Sequence, residues 1–225
     1  MGSPPLKGFG QGDPALAAWA ASVYRPEDDV LREIRERSAA AGLPAIQVGP
    51  FDGLHLEVLA RVAGVRRAVE IGTLGGYSGV CLLRGMAPDG VLHTFELEAS
   101  HAEVARESFA RAGLLPRVRI HLGRALERLG AIEGEGPFDL VFVDADKTGY
   151  PAYLAWAEEH LRTGGVLVAD NTFGFGHVHE ERPADEAPEA MAALRAFSER
   201  LARGGRFRAT ILPTAEGLSV GVKVR

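Results

Sequence analysis

Two apolar runs of the chain each end in an acid: Phe138-Asp139-Leu140-Val141-Phe142-Val143 stops at Asp144, and Val166-Leu167-Val168-Ala169 stops at Asp170-Asn171. Gly136-Pro137 precedes one run and Gly164-Gly165 the other, so both read as buried parallel strands carrying their acids at the C-terminal end. Ligands of open α/β sheets bind at that edge, so two carboxylates and an amide delivered by separate strands can form part of a site; equally, each acid can cap the helix or turn that follows. A third element is Glu70-Ile71-Gly72-Thr73-Leu74-Gly75-Gly76-Tyr77-Ser78. Its glycines let the backbone turn sharply and approach a ligand, and a helix starting there offers free N–H groups. The spacing is not the G-x-G-x-x-G of dinucleotide binding, and Glu70 stands where a pyrophosphate would lie. The loop therefore suits a nucleotide-like ligand carrying positive charge, unless it is only a tight turn. Glu96, about 25 residues further at a second strand's tip, is placed to accept both hydroxyls of a ribose, or is a solvated acid beside Glu98. Gly123-Arg124-Ala125 follows a third strand, and small residues there leave room for an adenine ring.

Presenting these groups together requires alternating strands and helices. The spacing predicts strands at Ala68–Ile71, Val91–Phe95, Arg117–Leu122, Phe138–Val143 and Val166–Ala169. Between them it predicts helices at Tyr77–Met86, Ser100–Ala112, Ala125–Ala131 and about Tyr150–Leu161, with Ser100 and Glu103 as a capping box. This is βαβ repetition, hence a doubly wound, mostly parallel sheet with helices on both faces. After a helix at Ala187–Arg203, the runs Phe207–Leu212 and Leu218–Val224 are joined by a link too short for a parallel return, so they form an antiparallel hairpin. Three helices precede the sheet: Pro14 to about Val23, one opened by Pro26 and ended by Gly42, and Gly53–Ala63. The expectation is one domain over 1–225, with 1–64 as a helical extension or cap and a first dozen residues poorly ordered without a partner chain.

Net charge −5 carries no polyanion-binding signal, so no nucleic acid is expected. No apolar stretch approaches a membrane span and no signal peptide is evident, which points to a cytoplasmic protein without a membrane partner. Cys81, the lone cysteine, falls in a helical apolar pattern and reads as buried filler.

Val-Glu-Ile-Gly-Thr (69–73) with Gly-Tyr-Ser (76–78), Phe-Asp-Leu-Val-Phe-Val-Asp-Ala-Asp-Lys (138–147) and Gly-Gly-Val-Leu-Val-Ala-Asp-Asn (164–171) together resemble the cation-dependent O-methyltransferases that use S-adenosylmethionine, the caffeoyl-CoA and catechol type. The resemblance runs from about Val48 to the C-terminus. It implies a Rossmann-like methyltransferase sheet, a phenolic small-molecule acceptor and a homodimer. It also implies a divalent cation, Mg2+ or Ca2+, on Asp144, Asp170 and Asn171, and a cofactor surrounded by Val48, Glu70, Gly72, Thr73, Ser78, Glu96, Ala125 and Asp144. Lys147 resembles the family's catalytic lysine, which accepts or stabilises the phenolic proton; alternatively it is a surface lysine pairing with Asp146. The residue types fit independently, because carboxylate and amide oxygens are hard donors, and three of them leave roughly three of six positions for water and substrate.

One departure concerns the stretch Thr172-Phe173-Gly174-Phe175-Gly176-His177-Val178-His179-Glu180-Glu181-Arg182-Pro183, where the family usually shows a Trp-containing substrate loop. Phe173 and Phe175 either stack on an aromatic acceptor or pack onto the core. The rival enzyme class is a nicotinamide-dependent oxidoreductase, opposed by the missing fingerprint and the terminal hairpin. A non-enzymatic alternative, a cofactor-binding scaffold without turnover, is opposed by the intact acid–acid–amide set and Lys147.

Overall fold

The computed structural model describes residues 13–180 and 187–225; the N-terminal dozen and the end of the loop, 181–186, lie outside the described residues. Three helices come first: α1 (Pro14–Tyr24), α2 (Asp29–Ala40) and α3 (Pro50–Val62). Then follow β1 (Arg67–Ile71), α4 (Tyr77–Gly85), β2 (Val91–Glu96), α5 (Ala99–Arg111), β3 (Val118–Leu122), α6 (Ala125–Arg128), β4 (Phe138–Val143), α7 (Tyr150–His160), β5 (Leu161–Ala169), α8 (Pro188–Arg203), β6 (Phe207–Leu212) and β7 (Leu218–Lys223). The strands form one sheet in the order β3-β2-β1-β4-β5-β7-β6. The first five run parallel, and β7 is antiparallel to both β5 and β6. The doubly wound sheet and its terminal hairpin are thus as the alternation predicts.

Several boundaries differ from the sequence reading, each for a local reason. Ser100 does not cap α5: that helix starts at Ala99 after Glu98, because the Glu96 carboxylate accepts the Glu98 N–H at 3.0 Å and turns the chain two residues earlier. The second helix begins at Asp29 rather than at Pro26, with Asp28 as the cap that accepts the Leu31 N–H at 3.0 Å. The third starts at Pro50 rather than Gly53, since proline at a first-turn position lacks only an N–H that would be unpaired there. β5 begins at Leu161, where it meets Phe138; a register shift then carries the chain past Gly164-Gly165 to Val166 opposite Leu140.

Strand periodicity sorts the core into two layers. Leu92, Ala68, Leu140, Phe142, Val166 and Val168 face the cluster shared with α3 and α4. Val69, Ile71, Phe95, Val141, Val143 and Leu167 face α7 and α8. In α8, Met191, Leu194, Phe197 and Leu201 lie on one face at helical spacing and are all buried, each stabilising by roughly 1.5–3 kcal/mol. Cys81 is buried in α4, and burial pushes its thiol well above the ordinary range, in keeping with its reading as filler. Among the described residues no helix is long and apolar enough to cross a membrane.

Candidate active site

Register decides which predicted residues meet. Ile71 pairs with Phe95 on one side and Val143 on the other, and Val143 pairs with Ala169. The next residue of each chain therefore lies at one level: Glu96, Gly72, Asp144 and Asp170 form a row along the C-terminal edge. Backbone bonds extend the ladder to that level: Gly72 N–H to Phe95 C=O at 3.1 Å, Asp144 N–H to Ile71 C=O at 2.8 Å, and Asp170 N–H to Val143 C=O at 3.0 Å. With strands about 4.8 Å apart, the row from Glu96 to Asp170 spans about 14 Å. Its middle lies between β1 and β4, where the strand order reverses and such sheets open a crevice.

Gly72 shows why the turn needs glycine. Its φ is +101°, and a Cβ would stand 2.0 Å from the Asp144 carbonyl oxygen. Both backbone strain and a clash with main chain would follow, so Gly72→Ala is expected to cost about 3 kcal/mol or more. Urea unfolding of the variant within about 0.5 kcal/mol of the parent would contradict this.

Glu70 lies two residues inside the row and is fully buried. Ser78 Oγ and Thr94 Oγ1 each donate to its carboxylate at 2.6 Å, and Thr73 Oγ1 stands 2.5 Å from Thr94 Oγ1, completing a buried hydroxyl chain. Burial raises the Glu70 pKa from 4.5 to about 7; the Ser78 and Thr94 hydrogen bonds oppose the rise, and the like charges of Asp144 and Glu96 add to it. Folding therefore favours the protonated acid. Stability from this group is fully present below pH 4.5 and declines as pH rises toward 7, by about 3 kcal/mol for a fully buried carboxyl. Relative to ligand-free parent protein, Glu70→Gln should gain most of that amount between pH 5 and pH 8 in urea unfolding. A pH-independent difference would refute the assignment.

Glu96 ends β2 with Oε2 accepting the Leu74 N–H at 2.7 Å, which joins the glycine turn to the second strand. Gly123 N–H donates to the Glu96 carbonyl at 2.8 Å, bringing half-buried Ala125, first residue of α6, to the same corner. Val48, before α3, is buried in the apolar cluster that also holds Tyr77.

Beyond the crevice, Lys147 Nζ donates to Asp144 Oδ1 at 3.2 Å and to the Tyr150 hydroxyl at 2.9 Å. Lys147 thus pairs with Asp144 and not with Asp146, whose Oδ1 accepts the Tyr153 hydroxyl at 2.6 Å. Asp170 is fully buried, and its Oδ1 accepts the Asn171 N–H at 2.8 Å. Asn171 itself has φ +56°, a left-handed conformation that asparagine tolerates better than most residues. The donor set fits a hard divalent cation: two carboxylates arrive level from adjacent strands, and an amide follows directly. Among the described residues, no three His, Cys, Asp or Glu side chains gather as a metal cluster. A cation at this edge would therefore take amide or water oxygen as its next donor.

The loop after Asn171 is tied at both sides. Thr172 and Phe173 donate their N–H groups to Gly217 and Glu216 of the β6–β7 turn at 2.9 and 3.0 Å, and Arg195 of α8 donates to the carbonyls of Val178 and Glu180, both at 2.9 Å. The phenylalanines separate here: Phe173 lies against Gly217, where a Cβ would come within 2.7 Å of its ring, whereas Phe175 stays 46% exposed at φ +55°. His177 and Glu180 pair with one another at 3.0 Å.

Two polar groups of the site escaped the sequence reading. Thr94 is disguised as an ordinary strand residue; the available signal was its position two before Glu96, which puts it on the same strand face. Tyr150 figures in the sequence only as the approximate start of α7, and only its spacing of three from Lys147 hints at contact.

Residues 20–224 match the O-methyltransferase family. Catechol O-methyltransferase of Niastella koreensis is 39% identical over 199 residues, 88% of this chain and 86% of that protein. Catechol O-methyltransferase of Mycobacterium tuberculosis is 41% identical over 186 residues, 83% and 84% of the two chains. The crystal structure of an O-methyltransferase from Bacillus cereus in complex with SAH matches with a TM-score of 0.85 at 38% identity, over 93% of this chain and 97% of that one.

Proposed function

The chain belongs to the O-methyltransferase family, and from that premise we propose that it transfers the methyl group of S-adenosylmethionine to one hydroxyl of a catechol-like or other vicinal-hydroxyl small molecule, with Mg2+ or Ca2+ held by Asp144, Asp170 and Asn171. The observation that carries this reading is the row at the sheet edge. Glu96, Asp144 and Asp170 stand level, Glu70 lies just inside, and Lys147 is the one ammonium among the described residues there. Such an excess of carboxylate suits a cationic cofactor at one end and a dication at the other. The SAH bound by the Bacillus cereus protein and the catechol named for the two relatives support the same assignment.

When bound, the cation supplies Lewis acidity that acidifies a hydroxyl, and the cofactor supplies the methyl group. The chain's own groups orient and hold protons. Glu70 faces the positive charge of the cofactor from inside the sheet. Glu96 keeps lone pairs for ribose hydroxyls beyond the N–H groups it already accepts. Asp144 sits between the cofactor and cation ends of the row; Lys147 Nζ as an ammonium stabilises the acceptor oxygen while its proton leaves, and as a free amine, after giving one proton to solvent, takes that proton itself. Phe175 offers an exposed ring to an aromatic acceptor.

Transfer of labelled methyl from S-adenosylmethionine to a panel of catechols and monophenols, with and without EDTA, tests the proposal. Turnover of catechols that EDTA stops and Mg2+ restores is expected. Full activity in EDTA would remove the cation. Binding of S-adenosylmethionine without transfer to any acceptor would favour a scaffold, and calorimetric binding of NADH in its place an oxidoreductase.

A further inference from the structure

We propose that Tyr150 is a positioning residue for this reaction: its buried hydroxyl clamps the Lys147 ammonium beside Asp144 and anchors it to the end of β5. The proposal rests on the reading of Lys147 as the group that meets the acceptor's proton.

A lysine side chain has four rotatable bonds and loses substantial rotamer freedom when fixed, so a single productive position needs more than one partner. Here Nζ has two, at 3.2 Å on Asp144 Oδ1 and 2.9 Å on the Tyr150 oxygen. The Tyr150 oxygen is itself fixed. The residue is fully buried, its ring meets Phe197 edge-on at 5.4 Å, and its O–H donates to the Asp170 carbonyl at 3.0 Å. The turn joining Lys147 to Tyr150 is equally constrained, since a Cβ on Gly149 would come within 2.5 Å of the Tyr153 ring and 2.7 Å of Asp146 Oδ2. Burial, with the nearby carboxylates of Asp144 and Asp170 adding to it, holds the phenol in its protonated form.

Counting donors and acceptors sets the role. A phenol has one proton to give and lone pairs to receive. The proton goes to the Asp170 carbonyl at 3.0 Å, with the Val143 carbonyl a longer second acceptor at 3.4 Å, and a lone pair receives from Lys147, so the hydroxyl both donates and accepts within the protein and acts through Lys147. One buried atom then links the proton-handling lysine, through the Asp170 carbonyl, to the strand tip that carries the proposed cation donors.

Tyr150→Phe removes the hydroxyl and keeps the ring. The expected result is a kcat about tenfold lower, with KM for cofactor and acceptor within about twofold and a modest fall in melting temperature. In a Lys147→Met background the same substitution should leave kcat within about twofold while the fall in melting temperature persists, because the hydroxyl has no lysine left to place. Leu201→Ala, which truncates a buried α8 side chain packed at Gly221 of β7, should lower the melting temperature and leave kcat within about twofold. All assays are run well below the lowest melting midpoint, so that only folded protein is compared. An unchanged kcat in Tyr150→Phe, or an equal loss in both backgrounds, would overturn the proposal and leave the reading of Lys147 standing. Near-normal kcat in Lys147→Met alone would overturn that reading and this proposal with it.

Discussion

Replacing Asp170 by alanine is expected to lower methyl transfer by a factor of about 10³, because it removes one of the two charged donors of the proposed cation site. The same change should leave the affinity for S-adenosylmethionine within about tenfold. The asymmetry follows from strand order: Asp170 ends β5, two strands beyond Gly72, while Glu70 and Glu96 lie on β1 and β2. With strands about 4.8 Å apart, the cation end and the ribose end of the row are too distant for one carboxylate to serve both. Asp170 is fully buried and accepts the Asn171 N–H at 2.8 Å, so alanine also leaves that donor unpaired at a cost of about 1–3 kcal/mol. Asp170→Asn controls for this loss, since it keeps an acceptor oxygen of the same shape and removes the charge. Both variants should bind cofactor in equilibrium dialysis and both should fail in transfer, with asparagine partly rescued by raised Mg2+. Normal turnover in either, or loss of cofactor binding in both, would refute the division of the row.

Strands were legible in the sequence because β-branched and aromatic runs stood between glycines, and a buried parallel strand has little other way to be written. The acids at their tips were legible for the same reason. Register was not. That Glu96, Gly72, Asp144 and Asp170 stand level depends on pairing between segments as far apart as Ile71 and Val143, which no local pattern encodes. The misplaced cap at Ser100 has the same origin: Ser-x-x-Glu is a sound local signal, but the Glu96 carboxylate captures the Glu98 N–H and starts the helix first. Tyr150 was hidden because an aromatic at the start of a helix is usually core, and nothing local shows that its hydroxyl reaches both Lys147 and the neighbouring strand.

Lys147→Met should lower kcat by about 10²-fold with catechol itself, within the range that a positioned proton acceptor contributes, while cofactor affinity changes by less than about threefold. Lys147 can act as a base, through the free amine left after it gives a proton to solvent, or as a fixed positive charge, and the two roles make different demands on the acceptor. If it handles the phenolic proton, the defect should shrink as the acceptor becomes more acidic, because a hydroxyl that is already ionised needs no base. Nitro-substituted catechols should then be methylated by the variant almost as fast as by the parent, and raising the pH should restore the variant's rate with ordinary catechol. If Lys147 only offsets the negative charge of Asp144, which it approaches at 3.2 Å, the loss should be the same for every acceptor, and pH should leave it unmoved. The contact with Tyr150 favours the first role, since simple charge compensation needs no second partner to fix the direction of Nζ, whereas proton transfer requires the nitrogen within hydrogen-bond reach of one oxygen. A defect independent of acceptor acidity would assign Lys147 to charge balance and remove it from the chemistry.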